Sequence, residues 1–570
     1  MSRRYPRFHI VPGALIFAGA ACLLFFLFLP RPDFNAFTMK LFQSELSKNT
    51  LTLHYTLAKP DAFGIKDPPV TLGTPFLSDS DTDLKETIAK YSSLGLSEED
   101  QRTADLLSWW LDGQTALADL SFYQEPLGPT LGVQAQLPIL LAEYAFRTEQ
   151  DIQDYLTLLA QLPDYFSRIA EFEQEKAEAG LLMNQESLSK VIEQCESFPS
   201  NPATHFLTES FQKRLSDCTF LSVNEQIDYE LQNQHQLRSS VFPAYEQLAT
   251  GLEELLVKAP SEELGLSYFP NGASYFQWLL TYETGTDRTI SEIRDLLEEQ
   301  IASDYETILE AVQNDVNLLH PVSETPLKNT EPGQLLLYLS QKITDDFPAI
   351  PDTDWQIKNV PDALSKYLSP AFFLTPPLDT QNETTIYINP SYEPDEKELL
   401  TTLAHEGYPG HLYQNTFETS LPPVRSLIYV GGYTEGWGLY SELFAYDFLG
   451  YSEETASALR ALTSLNYAIC SVLDLEIHTS GWNESACTEY LHSYGITDSS
   501  QIHHLYLSIL EEPANYLKYY LGYLEICKLK ESAFTHSPDL SLTKFHQWFL
   551  ENGPAPFFLL EADLHQNFLK

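Results

Sequence analysis

Between Ser97 and Leu120 the chain reads SEEDQRTADLLSWWLDGQTALADL, with apolar positions at the three- and four-residue intervals of an amphipathic helix. Ser97 followed by Glu99 and Asp100 marks its start, an acceptor ahead of an acidic first turn. The same period runs over residues 148–195 and 220–258, both with acidic faces, and over 284–312, 453–477 and 498–530, and 34–57 also reads as helix. These acidic faces are read as solvated helix surfaces. Residues 57–80 form a Pro/Gly-rich crossing segment, and 264–283 mixes aromatics with a Pro-Asn-Gly turn, a stripe read as core. The region 320–396 is more mixed, with several prolines and one candidate strand, Thr384–Asn389 within TTIYINP. The pattern predicts a mainly α fold over residues 34–570, with a small β-sheet beside the helix that follows Thr384–Asn389.

Arg3, Arg4 and Arg7 precede an uncharged run from Ile10 to Leu29. Twenty residues make about 30 Å of helix, enough to cross the hydrocarbon core. A cleaved signal peptide has a shorter apolar region ending at a small-x-small site, whereas this run is followed by Pro30-Arg31-Pro32. Gly19 before Cys22 is a poor lipoprotein signal, and the apolar run continues past it. The expectation is an uncleaved single-pass anchor over 10–30, residues 1–9 in the cytoplasm and 34–570 outside the cell membrane.

Lys plus Arg number 33 against 80 Asp plus Glu, a formal net charge of −47. Such a field repels nucleic acid and anionic headgroups, so nucleic acid is excluded as a partner. Cys195 and Cys218 are the pair to consider for a disulfide, though spacing does not fix connectivity; no CxxC occurs.

The candidate chemistry lies in residues 399–442. His405-Glu406, His411 and Glu435 follow in an order that suits a hydrolytic zinc site, with His405, His411 and Glu435 as ligands and Glu406 as general base. Zinc lowers the pKa of bound water from about 15.7 to about 7. Glu442, seven residues after Glu435, shares its helical face and suits a carboxylate orienting a ligand histidine. The spacing departs from HExxH, because His411 comes six residues after His405. Six residues of ideal helix would leave the imidazoles roughly 120° apart. Pro409 therefore predicts a break or bulge that returns His411 to the His405 face, with Gly410 supplying permissive backbone. Arg425, between the metal segments, is a candidate for holding a substrate carboxylate, with an ion-pair role as the alternative.

The segments YINP, HEGYPGHLYQ and EGWGLYSE resemble the signature of domain of unknown function family 885, a mostly bacterial family grouped with the gluzincin-type zinc metallopeptidases. LTLHYTLAKPDAFGI (51–65) resembles its N-terminal part and EEPANYLKYYLGYLEICKLK (511–530) its C-terminal part. In relatives that last segment tends to read P-G-Q-x-x-x-Y-K-x-G; here it has Pro513-Ala514-Asn515, and Tyr520 stands at the lysine position. The resemblance implies a mainly helical metallohydrolase and places Tyr519 as oxyanion donor, with His503 or His504 as second choice. It also implies a strand that pairs with extended substrate, which makes Tyr387 and Asn389 candidate substrate contacts. The expectation is an anchored hydrolase with one Zn2+ per chain, acting on a peptide or small amide outside the cytoplasm. The alternatives are a zinc hydrolase of a non-peptide amide or ester, and a non-catalytic envelope-anchored binding protein.

Overall fold

The computed structural model describes residues 33–76, 82–314, 330–351, 353–360, 369–380 and 383–568, together with 318 and 365. Helices dominate, and local sequence sets their limits. Glu98–Ala118 starts where Ser97 accepts from the Asp100 amide. The 31-residue helix Glu149–Ala179 begins with a reciprocal Thr148/Asp151 capping box and ends at Gly180, φ 72°. Several continuous helical readings are in fact pairs. Residues 34–57 divide into Phe34–Leu46 and Thr50–Thr56 because Asn49 caps the second helix. The stretch 498–530 divides into Ser499–Glu511 and Asn515–His536 at Pro513 and Ala514.

Three apolar cores organise the described residues. The largest joins the N-terminal helices to the C-terminal half and surrounds the site. A second lies among the helices of residues 133–255, with Tyr387 and Val360 from the sheet region closing it. A small third core, including Leu473, Ile477 and Tyr506, packs between Glu453–Thr479 and Ser499–Glu511. Where one strand was predicted, three form a sheet of order β1-β3-β2: β1 (Asp354–Asn359), β2 (Ala371–Leu374) and β3 (Glu383–Ile388). β1 pairs parallel to β3 and β2 antiparallel, with Phe373 opposite Ile386. Short edge strands such as β1 and β2 carry too few alternating positions to stand out by period alone.

The helix crossing that builds the site joins Gly431–Phe444 to Asn515–His536. A Cβ on Gly436 would sit 2.4 Å from the Gly522 carbonyl carbon, and one on Gly522 would sit 2.2 Å from the Gly432 oxygen. The backbones therefore touch, as small residues spaced by one turn permit.

Two expectations meet the structure here. Cys195 and Cys218 are separate buried thiols, each packed in the second core, and form no disulfide. The expected anchor over Ile10–Leu29 lies outside the described residues; among these, no helix is long and apolar enough to cross a membrane.

Candidate metal centre

The helix Glu396–Glu406 starts at Asp395, whose side chain accepts from the Glu398 amide, and delivers His405 and Glu406 in its last turn. It stops there. Residues 407–410 form a tight turn, and a new helix, His411–Glu418, begins at His411. The break is thus a full helix end and not a bulge. A Cβ at Gly410 would fall 1.8 Å from the His405 carbonyl oxygen, so the turn closes this tightly only with glycine. The Trp437 indole donates to the Pro409 carbonyl at 2.8 Å and pins the turn to the helix Gly431–Phe444. The two imidazoles end 4.7 Å apart between centroids, nearly perpendicular at 87°.

Glu435, Gly438 and Glu442 share one face of Gly431–Phe444, at i, i+3 and i+7. His405 lies flat over Gly438, and a Cβ there would be 2.5 Å from its Nε2. From this position Nε2 is 3.7 Å from Glu435 Oε2, while Nδ1 is 3.4 Å from Glu442 Oε2. His411 Nε2 approaches the same Glu435 oxygen at 3.5 Å. One donor atom from each of His405, His411 and Glu435 lies within 4.8 Å of the others. A tetrahedron with bonds of about 2.0–2.1 Å has edges of about 3.4 Å. The two separations to Glu435, 3.5 and 3.7 Å, lie close to such edges, and two imidazoles with one carboxylate are a donor set that zinc takes. Glu442 occupies the place of the carboxylate that fixes the tautomer of a ligand histidine.

The surrounding groups polarise the cluster. Burial opposes charge on His405, but hydrogen bonds to Glu435 and Glu442 outweigh it and hold the imidazole up at about 10. Burial likewise opposes charge on Glu435, yet its bonds to both histidines carry the carboxyl well below the usual range. The Phe373 amide of β2 donates to Glu406 Oε2 at 2.7 Å, which ties the carboxylate of Glu406 to the sheet edge. Tyr519 arrives from Asn515–His536: its ring is 6.1 Å from that of His405, and it hydrogen-bonds Glu435. Burial, reinforced by Glu435 and Glu406, raises its phenol far above the ordinary value, so it stays a protonated donor. A cavity of about 570 Å³ opens from His411 and Glu435, walled by Phe373, Gln414, Glu418 and Tyr429.

Not every candidate reaches the site. Tyr387 faces the second core, stacked on Phe372 and donating to Glu143 Oε2 at 2.9 Å, so it is a packing residue. Asn389 is buried and donates to the Ser365 carbonyl at 2.6 Å while accepting from the Ser391 amide. It shapes the turn after β3. Alternation along a strand sends half of its side chains away from any one face, and only the paired register shows which half. Arg425 borders the cavity, but its Nη2 donates to the carbonyls of Asn552 and Pro554 at 2.7 and 3.0 Å. Through Nη2 it tethers the C-terminal segment, while its buried Nε makes no hydrogen bond among the described residues. His503 pairs with Glu186 and Glu484, outside the centre. Tyr520, at the family's lysine position, is buried against Ser464 with its hydroxyl 2.8 Å from Oγ. Sequence reasoning missed Tyr429, whose hydroxyl donates to the second Glu435 oxygen at 3.2 Å, and the Phe373 amide. No residue pattern marks a backbone donor, and Tyr429 sits in a short extended stretch without period.

The fold has solved counterparts. The crystal structure of "the putative lipoprotein from Colwellia psychrerythraea" superposes with TM-score 0.77 at 20% identity, covering 94% of this chain and 98% of that one. A "putative lipoprotein of unknown function from Shewanella oneidensis" superposes with TM-score 0.60 at 15% identity, covering 93% and 99%. Both likenesses establish a shared architecture. No curated protein matches the chain. The sequence itself is matched over residues 77–564 by the model for bacterial proteins of unknown function DUF885, and the chain belongs to that family.

Proposed function

We propose that this protein is a zinc-dependent hydrolase of the gluzincin type that cleaves amide bonds in short peptides. The observation that carries the reading is the convergence of His405, His411 and Glu435 donor atoms beside a Glu406 carboxylate held by the Phe373 amide. Zinc held by these three side chains supplies a Lewis acid that brings the pKa of water to about 7. Glu406 takes a proton from the attacking water and passes it to the leaving amine. The Tyr519 hydroxyl donates toward the carbonyl oxygen as it gains charge, a contribution of about 2.7–4 kcal/mol for a well-placed donor. Glu442, 3.4 Å from His405 Nδ1, would hold the proton on that nitrogen and leave Nε2 for the zinc. Among the described residues β2 pairs with β3 alone, which leaves its other edge beside Glu406 for an extended substrate backbone. The apolar run at Ile10–Leu29 supports placement at the cell envelope, as does the description of both solved counterparts as lipoproteins.

The deciding measurement is metal content and peptide hydrolysis of the 34–570 fragment beside His411→Ala and Glu406→Gln. The expected outcome is about one zinc per chain in wild type and Glu406→Gln, none in His411→Ala, and hydrolysis in wild type alone. A wild-type protein that binds no divalent ion after zinc is supplied would overturn the reading in favour of a non-catalytic binding protein. Zinc binding without cleavage of any peptide would turn the search to other amides and esters.

A further inference from the structure

The helix His411–Glu418 presents more to the cavity than its metal-site end. His411, Gln414, Asn415 and Glu418 all line the cavity. They fall at i, i+3, i+4 and i+7, one helical face, with Glu418 about 10.5 Å along the axis from His411. Phe63, Leu378, Leu421 and Pro554 add apolar surface to the same lining. Within it, the Glu418 side chain has no hydrogen bond or ion pair among the described residues. Gln414, on the same face, is buried at only 2% exposed. Arg425, the cation in the same lining, attracts Glu418 through space without a hydrogen bond or ion pair to it, and its own bonds to Asn552 and Pro554 fix it to the C-terminal segment.

A carboxylate without a bonded partner, at the end of a partly apolar cavity that begins at the candidate metal ligands, is a receptor for a cation. We infer that Glu418 forms a specificity subsite for a basic side chain, lysine or arginine, on the residue flanking the scissile bond. The inference rests on the hydrolase reading above. The dimensions agree. A substrate carbonyl at the His411 end places the next Cα a few ångströms along the cavity, and the four-carbon stem of lysine adds about 6 Å. Its methylenes would run along the apolar lining while the ammonium meets Glu418, the division such side chains favour.

The test is direct binding of two chelating probes to the zinc-loaded protein by isothermal titration calorimetry. L-lysine hydroxamate and L-norleucine hydroxamate share the metal-binding group and the stem, and differ by the ammonium. The titrations are run at pH 8, above the value of about 7 to which burial, opposed by Arg425 and His411, pushes the Glu418 carboxyl. A charge-assisted hydrogen bond predicts roughly 10–100-fold tighter binding of the lysine probe. In Glu418→Gln, whose native fold is checked by circular dichroism, the ratio is expected to fall to about one. Equal affinities in wild type would overturn the subsite while leaving the metal reading intact. A ratio that survives in Glu418→Gln would overturn the role of this residue. If neither probe binds, the metal reading fails, and the subsite with it.

Discussion

Gly438→Ala is the sharpest probe of how the centre is built. The added Cβ would lie 2.5 Å from His405 Nε2, 2.7 Å from Cε1 and 3.0 Å from Cδ2. Ordinary contact begins at 3.4 Å, so the ring must retreat by about 0.9 Å. It has little freedom to do so, because Nδ1 is bound to Glu442 and Nε2 to Glu435 at opposite edges of the ring. Loss of a group that merely orients a ligand costs 10–100-fold in metal affinity. Displacing the ligand itself is therefore expected to cost at least about 100-fold. Helix propensity acts the other way, since alanine in a helix interior is favoured over glycine by about 1 kcal/mol. Metal affinity should collapse while the fold persists. Competition against a chromophoric chelator measures the first quantity and circular dichroism melting the second. Wild-type zinc affinity in Gly438→Ala would refute the assignment of His405 as a ligand held by this face.

Three further outcomes follow from the same geometry. Tyr519→Phe should retain stoichiometric zinc and lose about 10²–10³-fold in kcat, the effect of removing one oxyanion donor; loss of zinc in parallel would show that the hydroxyl serves Glu435 and not the substrate. Gly522→Ala drives a Cβ into the Gly432 carbonyl at 2.2 Å, and urea unfolding should show a loss of about 1–3 kcal/mol, as for overpacked interiors, with an unchanged result arguing against backbone contact at the crossing. Burial holds His546 down at about 3, with its rings edges on Tyr440 and the Asp346 carbonyl. The unfolded chain therefore takes up this proton first, from about pH 6.5 downward, and native stability falls as pH drops from 6.5 toward 3 by of order 1 kcal/mol per pH unit. His546→Gln should flatten the acid limb of stability measured by urea unfolding over that window, and an unaltered slope would refute the attribution.

Much of this protein is written locally. Helix limits follow from caps such as Ser97 and Asp395, and from Gly180 with its positive φ, because capping needs only neighbours in sequence. The candidate ligands were legible for a related reason: His405, Glu406, His411, Glu435 and Glu442 lie within 38 residues, in an order that carries its own chemistry. Even the interruption at Pro409 could be anticipated, since proline removes the amide that a continuing helix needs. Tertiary structure decided what no local rule encodes. It selected a helix end in place of a bulge, because Trp437 reaches the Pro409 carbonyl and Gly410 seats against the end of the first helix. It turned Tyr387 into one core and Asn389 into a turn, since a strand's outward face is defined only by what packs on each side. It brought Tyr519 to Glu435 from 84 residues away through a crossing of glycines, and gave Glu406 a backbone partner on a strand too short to read. Sequence fixes chemistry where the partners are close along the chain; distant partners meet only when the packed helices set their distance.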